Sequence, residues 1–378
     1  MAKFEAPLNA LLDEIQTEYK LPGYDCAVWQ HGKEIYRRMA GVSDLATGTP
    51  ITENTLYNIY SNTKVITCVA ALQLYEQGKF LLEDELSRYF PAFAHMKVRT
   101  KSDSSSNTDT VCDAHTPITI RDLFRMTAGI GDGDDYTEMG MKFYMETGGT
   151  CPILTLPDYL AQVPLLFEPG TQYKYGICHE VLAALIEKLT GQRFGEYLEE
   201  HIFRPLGMHD TAFSMDNLKN GILANQYSYC GPDQPLECKG PANCLIPPIL
   251  KESASGGLIS SVNDYMKFQQ ALASGEQLHS RRTIDLMRLD QLSGSQRDGY
   301  GYTGIGMGYG LGVRTIINQA ACGSPVGFGP FGWGGAAGTY GSIDPENNLV
   351  IFYAQHVFNT NDLRTHNRIR NVIYAGIE

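Results

Sequence analysis

Apolar positions along the chain recur at two periods. Between Leu56 and Gly78, Val65, Cys68, Val69, Leu72 and Tyr75 fall at helical spacing and Gly78 supplies a stop, which predicts a buried helix with Ser61 in its first turn. The same period places Leu8, Leu11, Leu12, Ile15 and Tyr19 on one helical stripe that Leu21-Pro22-Gly23 ends. It also predicts a short helix over 118–129, a helix over 180–190 stopped by Gly191, another over 194–203, and a C-terminal helix over 361–377 with Leu363, Ile369, Val372 and Ile373 inward. Strand-like runs lie elsewhere. Residues 26–30 and 33–41 read as a hairpin turned at His31-Gly32, and runs at 310–317, 337–344 and 349–354 read as an antiparallel meander with a turn at 344–348. Polar residues 100–116 read as an exposed loop, and the Cys/Pro-rich stretch 228–251 as an irregular lid or wall.

The fold class that follows is α/β (α+β layered). An antiparallel sheet is built from both chain ends and flanked by helices, with an inserted, mostly helical lobe. The expected domains are a discontinuous α/β domain of 1–90 and 252–378 and an inserted helical domain of 91–251. No internal repeat is visible.

The predicted Ser61 helix carries chemistry. Residues three apart share a helix face, so Lys64 can lay its amine beside the Ser61 hydroxyl. Serine is a poor nucleophile until a base takes its proton, and a partly buried lysine can be that base. The N–H groups of the helix start can face a developing oxyanion. Ser-x-x-Lys alone is a weak pattern that also fits a capping serine followed by a surface lysine; it occurs once in this chain.

Composition narrows the setting. At 378 residues the chain can bury a substantial core. A net charge of −12 argues against nucleic acid or an anionic membrane as partner. Acidic residues break the apolar run of the N-terminus, no apolar run approaches a membrane span, and a cytoplasmic protein is expected. Nine cysteines, an odd number scattered along the chain, read as reduced thiols, and the spacing of Cys230, Cys238 and Cys244 is unlike a zinc site. The acidic stretch 131–135 lacks the spacing of a calcium loop and reads as a solvated turn. No metal and no cofactor is expected.

Further motifs then follow in order: Pro169-Gly170-Thr171 leading to Tyr175, Gly256-Gly257-Leu258 and Trp333-Gly334-Gly335 entering a strand. With Ser61 and Lys64, this order resembles the serine β-lactamase-like superfamily over nearly the whole chain. Within it, the class C β-lactamase and DD-peptidase branch fits, and the motifs are most similar to family VIII carboxylesterases. The resemblance implies that Ser61 is acylated, that Lys64 and Tyr175 share the proton traffic as general base and acid, and that the N–H groups of Ser61 and Ala336 form an oxyanion hole. It implies Trp333, Gly334, Gly335 and Ile177 as substrate-binding residues. Two departures matter. Ile177 replaces the amide of the usual Tyr-x-Asn, and Trp333 stands where a lactamase or peptidase carries a cation for the substrate carboxylate. The function expected is hydrolysis of a neutral, small-molecule carboxylic ester. Acyl transfer, β-lactam or D-amino-acid peptide hydrolysis, and a non-catalytic sensor are the alternatives. The lack of Gly-x-Ser-x-Gly disfavours an α/β-hydrolase.

Overall fold

A computed structural model describes residues 3–100, 110–131, 134–148, 152–246, 250–302 and 305–377. Its centre is an eight-stranded antiparallel sheet. In spatial order the strands are Met307–Tyr309, Arg314–Ile316, Phe331–Gly332, Tyr340–Asp344, Leu349–Ala354, Gly23–Gln30, Lys33–Asp44 and Thr49–Pro50. The two chain ends meet in the middle, where Cys26 pairs with Tyr353 and Val28 with Ile351. The hairpin turn is as expected. His31 (φ 50°) and Gly32 (φ 73°) both take left-handed backbone, which a tight two-residue connection requires.

Both faces of the central strands are covered, so they read as continuous apolar runs. Cys26, Val28, Ile351 and Tyr353 pack with Leu8, Leu12 and Ile369 of the terminal helices Glu5–Tyr19 and Asp362–Ala375. Their neighbours Ala27, Val350 and Phe352 point the other way, as strand alternation demands, into a larger core. There the helix Val262–Ser274, started by the Ser261 hydroxyl accepting from the Asp264 N–H, lies on the sheet, and Tyr265 stacks on Phe352 at 4.4 Å. The helix Thr63–Glu76 is buried on almost every side and packs against the helix Cys178–Thr190, whose end is set by Gly191 in left-handed backbone. Among the described residues no helix is long and apolar enough to cross a membrane.

Several local expectations change. Ser61 lies in a 3₁₀ turn, Tyr60–Asn62, that precedes the α-helix rather than in the helix itself. Thr110–Asp113, expected in a loop, is a strand paired with Lys97–Thr100; most of its side chains are exposed, so no apolar alternation marks it. Residues 101–109 of that loop lie outside the described residues. Inside the stretch expected to be irregular, Glu237–Gly240 pairs with Gln226–Ser228; residues 247–249 lie outside the described residues. The run at 310–317 splits into a hairpin, Met307–Tyr309 with Arg314–Ile316. The helix expected over 118–129 is only Ile120–Phe124, held by a Thr119–Asp122 capping box. In the C-terminal helix, Leu363 and Val372 are only half-buried and His366 and Arg370 take inward places. The acidic stretch 131–135 is not a turn throughout: Asp134 and Asp135 begin a helix, Asp134–Thr147, while Asp132 and Gly133 lie outside the described residues.

The end of the central helix is tied down electrostatically. Glu76 accepts from the Ser280 N–H (2.9 Å) and lies 3.0 Å from Nδ1 of His279. Burial alone would raise its carboxyl, but hydrogen bonds led by Thr283 and His279 outweigh it and hold the group at about 2. A carboxyl depressed below its unfolded value stabilises the fold above the unfolded pKa and loses that contribution as pH falls from there toward the folded one. Thermal melting of the wild type should therefore drop more steeply between pH 4.5 and pH 2 than that of Glu76→Gln; parallel curves would refute the assignment.

Candidate active site

The site begins with an unusual turn. Tyr60 adopts φ 45°, a conformation that costs a bulky side chain of order 1 kcal/mol and persists only where the surroundings enforce it. Its hydroxyl donates to Oε1 of Gln226 and receives the Cys244 N–H (3.4 Å). That turn presents Ser61 half-exposed while Lys64, one turn on, is 4% exposed. Lys64 Nζ donates to Ser61 Oγ (3.4 Å) and to the Ser255 carbonyl (2.5 Å), and lies 4.7 Å from the centroid of the Tyr175 ring.

Each partner of Lys64 is itself held. Glu180, in the first turn of the Cys178–Thr190 helix and 1% exposed, accepts from the Ser253 hydroxyl (2.6 Å) and from the N–H groups of Ala254 and Ser255 (both 3.0 Å). This fixes the carbonyl that Lys64 needs. Tyr175 stacks on Trp333 at 5.5 Å and 19°, and the Trp333 indole N–H donates to the Tyr175 hydroxyl oxygen (3.2 Å). The groups beneath Lys64 are neutral: burial and then the Lys64 charge push His179 down to about 3, and burial pushes the Cys68 thiol up. The ammonium is thus the charge the surrounding groups must satisfy.

The strand end at Trp333-Gly334-Gly335 packs against the serine turn from the opposite side. A side chain at Gly335 would meet the Ile59 carbonyl at 2.5 Å, so only glycine allows this approach. Asn62, fully buried between the two, donates to the Trp333 carbonyl (3.1 Å) and accepts from the Gly335 N–H (3.3 Å) and the Thr339 hydroxyl (2.8 Å). Next in the chain, Ala336 is exposed, and neither its N–H nor that of Ser61 is committed to another backbone carbonyl among the described residues.

A cavity of about 510 Å³ brings these groups together. Of the residues expected from sequence, Ser61, Tyr175, Trp333, Gly334, Gly335 and Ala336 line it, with Lys64 directly behind Ser61. Ile177 is not among the lining residues; it starts the Cys178–Thr190 helix and packs against the apolar core. Asn62, Glu180, Arg314 and Tyr300 are site residues that sequence reasoning missed. Asn62 sits inside the Ser-x-x-Lys segment itself, and Glu180 is a charge directly before the apolar run 181–186, the one signal available. Cys230, Cys238 and Cys244 are exposed free thiols. Cys151 lies outside the described residues.

The sequence pattern of the Beta-lactamase family matches residues 8–375. The chain belongs to the Beta-lactamase family. It is a hydrolase of that fold. Among its relatives, Protein Rv1367c of Mycobacterium tuberculosis is 29% identical over 91% of this chain and 88% of its own, and Esterase EstB of Burkholderia gladioli is 26% identical over 93% and 90%. Among solved structures, "EstCE1, a hydrolase with promiscuous acyltransferase activity" superposes with a TM-score of 0.77 at 22% identity, covering 98% of both chains, a likeness of fold.

The network around Lys64 makes Glu180 a positioning group. In Glu180→Gln one oxygen that accepts an N–H becomes a donor, so the 253–255 segment shifts. A drop of about tenfold or more in kcat is expected together with a stability loss of about 1.5–3 kcal/mol. Aryl-ester kinetics and thermal melting check this, and wild-type kcat would show that Glu180 does not position Ser255.

Proposed function

We propose that this protein is a serine carboxylesterase that works through an acyl-enzyme on Ser61. The observation that carries the reading is the single cluster in which Lys64 hydrogen-bonds Ser61 Oγ while Tyr175, stacked on Trp333, covers the same ammonium. The Lys64–Tyr175 pair takes the Ser61 proton as Oγ attacks the ester carbonyl: with Lys64 as the ammonium, the proton passes to Tyr175 Oη, which enters the step deprotonated. The N–H groups of Ser61 and Ala336 meet the oxyanion of the tetrahedral intermediate. Tyr175 then returns a proton to the leaving alcohol, and water, deprotonated by the same pair, releases the acid.

Trp333 supplies an uncharged aromatic wall beside the reacting carbon, suited to a neutral ester group and not to the carboxylate of a β-lactam or a D-amino-acid peptide. The likeness to Esterase EstB supports the ester reading. Acyl transfer to an alcohol or amine is the second reading. It uses the same acyl-enzyme, and EstCE1, which shares the fold, is a hydrolase with promiscuous acyltransferase activity.

Purified protein should hydrolyse short-chain p-nitrophenyl esters. Ser61→Ala should remove this activity and labelling by a fluorophosphonate, and Lys64→Ala or Tyr175→Phe should lower kcat by about 10²–10⁴-fold. Turnover retained in Ser61→Ala would refute the mechanism, and nitrocefin hydrolysis as fast as ester hydrolysis would refute the substrate class. Adding an alcohol and measuring ester formation against hydrolysis separates the second reading.

A further inference from the structure

The two N–H groups that face the oxyanion come from different sheets. Ser61 follows the strand Thr55–Asn58, which pairs with Ile259–Ser261 and Ile222–Leu223 in a small sheet of its own. Ala336 lies in the bend between Phe331–Gly332 and Tyr340–Asp344 of the eight-stranded sheet. Among the described residues no backbone hydrogen bond joins the 59–62 turn to the 333–336 bend. The two backbones touch where Gly335 meets the Ile59 carbonyl, but that contact only limits how close they come. Donors that converge on one oxygen have to be held to about 0.5 Å, so the seam between the sheets also needs a tie.

Asn62 supplies it. The residue is fully buried, and its side-chain amide crosses the seam: the N–H donates to the Trp333 carbonyl, and the oxygen accepts from the Gly335 N–H and the Thr339 hydroxyl. Its backbone is held from the other side, where the Tyr265 hydroxyl of the helix Val262–Ser274 donates to the Asn62 carbonyl (3.1 Å). The space behind the amide is full. A Cβ at Gly341 would lie 3.3 Å from the Asn62 amide and 3.0 Å from that of Gln269, so the side chain cannot swing toward the sheet.

The bend does not need Asn62 to satisfy its own backbone. The Trp333 carbonyl already accepts the Gly341 N–H (2.9 Å), and the Gly335 N–H already donates to the Thr339 carbonyl (2.8 Å). A side chain whose role was only to complete buried backbone groups would sit on groups without partners. What this amide adds is the link between the bend and the residue next to the nucleophile. The link reaches the proton-transfer side of the cavity as well, because the Trp333 indole N–H donates to the Tyr175 hydroxyl oxygen.

We propose that Asn62 is a positioning residue that sets the separation of the Ser61 and Ala336 N–H groups, and so the fit of the oxyanion hole to the tetrahedral intermediate. Asn62 does not line the cavity and touches no substrate. Its effect falls on the transition state, because the hole fits the oxyanion and not the planar carbonyl of the bound ester. The inference rests on the acyl-enzyme reading and deepens it. One side chain beside the serine, rather than sheet hydrogen bonding, aligns the two halves of the hole.

Two variants test the proposal. Asn62→Leu replaces the amide with an apolar side chain of similar size, and Asn62→Ala removes it without crowding the seam; either one decides if the other fails to fold. With p-nitrophenyl butyrate, well below the melting temperature of the variant, kcat should fall by about tenfold or more while KM changes by less than about threefold. A butyl boronic acid, whose tetrahedral adduct on Ser61 places an oxygen in the hole, should bind about tenfold or more weakly. Crystal structures of wild type and variant read the Ser61 N to Ala336 N separation without turnover, and it should change by about 0.5 Å or more. A lower melting temperature with wild-type kcat and boronate affinity overturns the proposal, as does a fall in kcat with the separation unchanged. If the separation shifts but wild type cleaves no ester and binds no boronate, the positioning stands and the esterase reading fails. If wild type cleaves esters and the variant alters neither kcat nor the separation, the reverse holds.

Discussion

One buried ammonium organises this molecule. Taking a charged amine out of water costs several kcal/mol unless other groups replace its hydration. Lys64 is nearly inaccessible, and its replacements come from three separate parts of the chain: the Ser61 hydroxyl, the Ser255 carbonyl and the Tyr175 ring. Each needs support in turn, which Glu180, Trp333 and Asn62 provide. An all-apolar helix in the same place would bury as much surface but would give the 253–255 segment and the Tyr175 loop no reason to stop where they do. The requirement to satisfy one cation is therefore also the requirement that assembles the site.

The wall of the cavity shows a related economy of charge. Lys64 sits over Tyr175, Tyr175 lies on Trp333, and Arg314 lies against Trp333, so a pair of stacked rings carries a cation at each end. Aromatic faces are electron-rich and tolerate both. Around them burial keeps His179 and His366 uncharged. The wall thus places two cations at separated points inside an acidic protein, one behind Ser61 and one beyond Trp333.

The parts legible in sequence were those set by local rules. Periodic stripes gave the terminal and central helices, two strand-like runs flanking His31-Gly32 gave the hairpin, and a three-residue spacing gave the Ser61–Lys64 pair. The parts that were not legible depend on distant partners or on the backbone. The acceptor of Lys64 is a peptide carbonyl, which no side chain announces. Glu180 and Arg314 are ordinary charged residues until the fold shows that one is buried among N–H groups and the other lacks a carboxylate. The left-handed Tyr60 carries no glycine to mark it, and Thr110–Asp113 lacks the apolar alternation by which a strand is read. Trp333 was expected as a substrate-binding residue, but its hydrogen bond to Tyr175 is a matter of side-chain geometry alone.

The sheet's construction from both chain ends has a consequence for how the protein comes to exist. The strand Gly23–Gln30 is covered on one edge by its own hairpin, but its other edge belongs to Leu349–Ala354. During synthesis that edge must stay open until almost the whole chain has emerged, while the helices Thr63–Glu76 and Cys178–Thr190, both encoded earlier, can already associate. Pairings of such large sequence separation are slow to form, and an unpaired apolar edge invites association with other chains. The strand Leu349–Ala354 and the C-terminal helix behind it are thus what close the fold, and a chain interrupted shortly before them would carry the cavity wall up to Trp333 and still expose the open edge of Gly23–Gln30.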